Sequence, residues 1–237
     1  MTTLYNKSRL GFALAAIGVY VMGASIADGL SLQIGYPKSL TLLFHIIYAA
    51  LLLGWIIKNG LGKEYGLCRG RLPAVAYLIL AGVSSVNLWF GLGMNMPLTE
   101  TLLFIGSMLC VGFLEELIFR GLLFRAMEKD GLRMAIAVSS ITFGIGHIVN
   151  LFNASGAALG ETVWQIISAA AIGFFFVALF LKSGSLLPCI ISHSFINCSS
   201  AFANPSAMTG WRNGAVSAGV SLLAFFGAIW LLRRKEN

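Results

Sequence analysis

Apolar runs of membrane-spanning length alternate with short polar stretches along the whole chain. A hydrocarbon core of about 30 Å takes roughly 20 helical residues to cross. By that ruler the sequence predicts eight spans, at 10–33, 39–57, 72–92, 100–127, 132–150, 161–182, 185–204 and 214–232. The expected fold class is all-α: a polytopic membrane protein of about eight transmembrane helices, forming one membrane domain over residues 1–237.

Three of these segments depart from uniform apolarity. Asp28 stands near the end of the first. The fourth is long, and its last turns, Arg120 to Lys129, are expected to emerge into water. The seventh mixes Ser, His and Asn with Pro188 and inserts poorly alone, so it must face protein or a water-filled cavity.

Composition agrees with this picture. Apolar residues make up 58% of the chain and charged residues only 11%, against about 25% charged in a soluble domain. Mean hydropathy is +0.86. The net charge of +7 does not point to nucleic acid, because the cations gather in alternate loops and no aromatic–basic interleaving forms a groove. One set of ends holds Lys7, Arg9, Lys58, Lys63, Arg69, Arg71, Arg125, Lys129, Arg133, Lys182 and Arg233 to Lys235; the other holds Lys38 and Arg212. With eight spans this bias puts both termini in the cytoplasm. A prokaryotic inner-membrane protein fits the compact loops. Cys68, Cys110, Cys189 and Cys198 show no CxxC spacing and read as structural. Gly156–Gly160 matches the small-xxx-small spacing but falls in a predicted loop. The sequons at Asn6, Asn153 and Asn197 are short matches, and the last is predicted within the membrane.

Against that apolar background, Glu115, Glu116 and Arg120 stand out. A charge at a helix centre in a bilayer costs about 2.5–3.5 kcal/mol on insertion scales, so three within six residues call for a reason. Glu116 and Arg120 are spaced i, i+4 and can pair on one face. Glu115 is turned about 100° away by the 3.6-residue period, leaving its carboxylate free for general-base work. The fifth segment carries Phe143-Gly144-Ile145-Gly146-His147, whose glycines would let a helix or substrate approach closely. The seventh presents His193 and Asn197 at i, i+4. His45 has no polar companion at helical spacing and stays outside the expected site.

The order Glu115-Glu116-xxx-Arg120, Phe143-xxx-His147, His193-xxx-Asn197 resembles the CPBP family of intramembrane proteases, which includes type II CAAX prenyl endopeptidases and the bacteriocin-linked proteins called Abi. The resemblance covers roughly residues 100–204, the expected catalytic core. It implies an intramembrane endopeptidase in which Glu115 and His147 activate water, His193 and Asn197 stabilise the oxyanion, and Glu116 and Arg120 hold the helix geometry. The implied partner is a membrane-associated peptide or lipid-modified protein at the bilayer.

Two further questions follow. No cofactor is firmly implied, but zinc is a competing reading, with Glu115, His147 and His193 as a His₂Glu set that keeps a position for water. Against it, the chain has no HExxH. Two other functions compete with proteolysis: a non-catalytic immunity-type protein of the same family, and a proton-coupled carrier. A carrier calls for repeated halves or paired broken helices, and neither is clear here.

Overall fold

The computed structural model describes residues 1–151, 159–208 and 210–234. The Asn153 sequon, Gly156 of the small-residue pair and Lys235 lie outside them. The chain is all-helical in its named elements. The helices are α1 (Thr2–Lys7), α2 (Arg9–Gln33), α3 (Ser39–Lys58), α4 (Ala74–Ser84), α5 (Leu98–Glu115), α6 (Arg125–Glu128), α7 (Leu132–Gly146), α8 (Leu159–Ser183), α9 (Leu187–Ser199) and α10 (Gly210–Arg233).

Among the described residues, six helical stretches are long and apolar enough to cross a bilayer: α2, α3, the run from Leu98 to Glu128, Leu132–Leu151, α8 and α10. The protein is a polytopic, all-α integral membrane protein. The other two expected spans are helical but shorter. The third is α4 followed by a 3₁₀ stretch, Val86–Phe90. Ser84 Oγ donates to the Leu80 carbonyl and Ser85 Oγ to the Gly82 carbonyl, at 2.7 and 2.8 Å, where the α-helix gives way. The seventh, α9, has 13 residues, about 20 Å of rise. It buries Ser192, His193 and Ser194, so its polar face turns inward as its weak apolarity demands.

Between α5 and α6 the chain keeps turning but widens. Glu116–Phe124 is a nine-residue π-helical stretch, buried throughout. Such i→i+5 turns are rare and concentrate at functional sites. Ser139 on α7 donates to the Phe119 carbonyl within it at 2.8 Å.

Two apolar cores flank this stretch. One joins α1, α2, α3, the π-helical turns and α7, with Phe12, Trp55, Leu117, Phe124 and Phe143. The other joins α4, α8, α9 and α10, with Val83, Phe175, Phe176, Cys189 and Leu231. The four cysteines are free.

Close helix contacts are made through glycine. A Cβ at Gly112 would lie 2.8 Å from the Ser194 nitrogen and 2.9 Å from its Cα, so α5 and α9 meet backbone to backbone. Gly144 brings α7 against α8, where a Cβ would meet the Ile166 carbonyl at 2.7 Å. Gly146 has no such neighbour and borders a cavity instead.

Candidate active site

Glu115 is the last residue of α5 and Glu116 the first of the π-helical turns, so both carboxylates sit where the helix changes its winding. Glu116 and Arg120 pair as their spacing predicts, with Nη1 donating to Oε1 at 3.0 Å, and both side chains are fully buried. Arg120 also lies over the Phe143 ring, 4.0 Å from its centroid. This contact and the one with Phe176 (5.6 Å) place apolar faces around a cation whose Nε and Nη2 find no hydrogen-bond partner among the described residues. Room for the guanidinium comes from Gly173 on α8, where a Cβ would stand 2.9 Å from Nη2.

The same Glu116 oxygen does a second task. His193 Nδ1 lies 2.8 Å from it, donating to the carboxylate, and this fixes the orientation of the imidazole. The ring's other nitrogen, Nε2, then faces Glu115, 3.7 Å from Oε2. The two glutamates therefore flank one histidine, although the helical period alone would part them in role. Aromatic edges complete the seat: Phe143 meets both His193 (5.5 Å) and His147 (5.6 Å) in T-shaped contacts.

His147 begins the 3₁₀ turn after α7. Its Nδ1 lies 3.2 Å from the Phe143 carbonyl. A carbonyl only accepts, so Nδ1 carries the proton and Nε2 of the neutral ring is left with its lone pair. Asn197 is one turn beyond His193 on α9, and its side-chain amide has no hydrogen-bond partner among the described residues.

Glu115, His147, His193 and Asn197 all line one cavity of about 820 Å³. Glu116 and Arg120 do not reach it; they lie behind His193. Apolar side chains such as Met108, Val111, Ile172 and Phe176 supply much of the wall. Sites of this size with a few convergent polar groups are the usual form of a ligand pocket.

Two lining residues escape sequence reasoning. Tyr20, buried on α2, donates its hydroxyl to Glu115 Oε1 at 2.7 Å. A single tyrosine in an apolar helix carries no local signal, because its partner lies 95 positions away. His45, expected outside the site, stacks on Tyr20 at 5.7 Å and meets Ser107 Oγ at 3.0 Å. It borders the cavity without touching the glutamates or the other histidines. Phe143, seen in the sequence only as part of a motif, is the ring that joins Arg120, His147 and His193.

The donor set does not fit zinc. Among the described residues no three His, Cys, Asp or Glu side chains gather closely enough to hold a metal ion. Glu115, His147 and His193 are thus not gathered as a His₂Glu set.

Residues 97–199 match a family model, that of the type II CAAX prenyl endopeptidase Rce1-like proteins. The matched stretch runs from the residue before α5 to the end of α9 and includes Glu115, Glu116, Arg120, His147, His193 and Asn197, but not Tyr20 or His45. No curated protein and no solved structure matches the chain.

Proposed function

We propose, from the match of residues 97–199 to the type II CAAX prenyl endopeptidase Rce1-like family model, that the chain is an endopeptidase that hydrolyses a peptide bond within the membrane. Residues 100–204 are the catalytic core of a single membrane domain over 1–237, and its substrate is a membrane-anchored or lipid-modified peptide. The observation that carries the reading is the convergence of Glu115, His147, His193 and Asn197 on one cavity.

Each role follows from what the side chain's partners leave free. Glu115 gives one oxygen to Tyr20 and keeps Oε2 for the attacking water. His147, with Nδ1–H committed to Phe143, offers the Nε2 lone pair as a second acceptor for that water. Water held between two acceptors is oriented and deprotonated on attack at the peptide carbonyl. The tetrahedral oxygen needs donors, and the Asn197 amide is uncommitted. His193, held through Nδ1 by Glu116, turns Nε2 toward the same space. Apolar walls around this cluster suit a lipid-modified or apolar peptide and keep bulk water away from the charge that develops.

The test is Glu115→Gln, which keeps size and hydrogen bonding to Tyr20 but removes the base. Hydrolysis of a prenylated reporter peptide by purified protein is expected to fall by about 10²–10⁴-fold, the range of a lost acid–base group, with unchanged thermal unfolding. A folded variant that cleaves at the parent rate would remove Glu115 from the role of base, and a folded parent protein that cleaves no such reporter would remove the proteolytic reading and leave an immunity-type role.

A further inference from the structure

The helices join two chemically different ends. One is basic and internally tied. Arg9 pairs with Glu64 at 2.5 Å, Tyr65 donates to the Tyr5 hydroxyl at 2.9 Å, and Lys182 Nζ donates to the Arg234 carbonyl at 2.8 Å. The other end holds Lys38 and Arg212, and each is already engaged. Lys38 pairs with Asp28 at 2.7 Å, and Arg212 donates to the Trp89 carbonyl at 2.6 Å. The shorter elements join the same two ends. At the basic end the Ser185 hydroxyl, just before α9, donates to the Cys68 carbonyl, just before α4. At the other, Asn87 after α4 donates to the Ile196 carbonyl late in α9. The six long stretches and the two shorter ones, α4 with its 3₁₀ extension and α9, therefore alternate between the two ends, and the cation bias assigns the basic end to the cytoplasm. Trp89, Trp211 and Tyr36 are 61%, 85% and 63% exposed at the opposite end, as interfacial aromatics are.

The cavity is asymmetric along the same axis. Its outer lining includes Lys38, Glu161, Pro205, Met208 and Asn213, all from the cation-poor end. Leu117, Leu123, Phe124, Phe180 and Leu186, each at most 1% exposed, belong to the packed core and none of them lines the cavity. Among the described residues none from the basic end lines it.

We propose that the cavity opens on the extracytoplasmic side, so that the peptide it takes is membrane-anchored with its scissile segment on, or exported to, that side. A cytosolic lipid-modified tail would meet the basic end, from which no described residue lines the cavity. The sidedness stands on charge and packing; only the word substrate rests on the endopeptidase reading.

Single cysteines test it, placed in a chain whose four native cysteines are replaced by alanine. Met208→Cys reports the mouth and Lys63→Cys the basic end. In intact cells a membrane-impermeant sulfonated maleimide is expected to label the Met208→Cys protein and to label the Lys63→Cys protein only after permeabilisation; the reverse pattern overturns the proposal. Because Cys189 is fully buried, the alanine background is backed by a second measurement on the unaltered chain. Green fluorescent protein or alkaline phosphatase is fused beyond α10. Fluorescence with an inactive phosphatase is expected, and an active phosphatase overturns the assignment. Neither readout depends on hydrolysis, so a failed orientation leaves the endopeptidase reading standing, and an inactive enzyme leaves the orientation standing.

Discussion

Glu116 Oε1 accepts from Arg120 and from His193 at once, so one buried oxygen links the π-helical turns to α9. Removing the cation leaves that carboxylate buried against His193 alone. Breaking a buried pair from one side costs about 3–5 kcal/mol. Arg120→Met is therefore expected to lower thermal stability in detergent strongly, and Arg120→Met with Glu116→Gln to recover part of the loss. Equal destabilisation in the two proteins would mean that the pair carries no coupling. On the other side of the site, Tyr20 supplies the one hydrogen bond found to the Glu115 carboxylate among the described residues. A hydrogen bond to a charged group is worth about 1.5–3 kcal/mol. If it is spent on holding Glu115 for attack, Tyr20→Phe lowers kcat by about 10- to 100-fold and leaves KM nearly unchanged. A rise in KM at constant kcat would instead make Tyr20 a substrate contact.

At the scale of the elements, α5 and α9 set the distance between carboxylates and imidazole. Gly112 lets their backbones touch at Ser194, the neighbour of His193. A methyl there has backbone in its way, not a flexible tip, so the helices must separate. Overpacking of this kind costs about 1–3 kcal/mol. Gly112→Ala is expected to lower the unfolding temperature and to reduce hydrolysis beyond what that loss explains, since His193 moves away from Glu115. A destabilised variant with parental turnover per folded molecule would show that the 3.7 Å separation does not matter.

The same elements show what hydropathy can tell. The first expected span, 10–33, is α2 at Arg9–Gln33, because a long apolar run has no other stable form in lipid. The polar face of α9 and the Glu116–Arg120 pair were legible for the same local reason: residues four apart share a face. The widening at Glu116 was not legible, since no residue type marks a π-helical turn. It matters, because with the widening both glutamates border His193, where a regular helix assigned them to separate tasks. The shortening of the third span at Ser84 and Ser85 was equally hidden, as serine signals only a competing hydrogen bond. Tyr20 illustrates the general limit. Local patterning finds chemistry within one helix, and it is blind to a partner that only tertiary packing delivers.

For the molecule as a whole, the site lies on the seam between the two apolar cores, with Phe143 from one and Phe176 from the other facing His193. The α2–α3 hairpin precedes the matched stretch, yet it supplies a wall of the cavity and the hydroxyl on Glu115. If the hairpin is a working part of the site, its covalent link to the rest is dispensable and its packing is not. Transmembrane helices insert singly and then associate through packing and interhelical hydrogen bonds. The chain divides naturally after Gly60, an exposed, left-handed turn residue just past α3. Residues 61–237 expressed alone are expected to insert but to hydrolyse nothing, because the cavity lacks one wall and Glu115 its donor. Co-expression with residues 1–60 is expected to restore cleavage in isolated membranes. A short fragment carrying Tyr20→Phe should restore assembly, read by co-purification, while cleavage stays low. Full activity from the longer fragment alone would confine the working site to the matched region and remove Tyr20 from it.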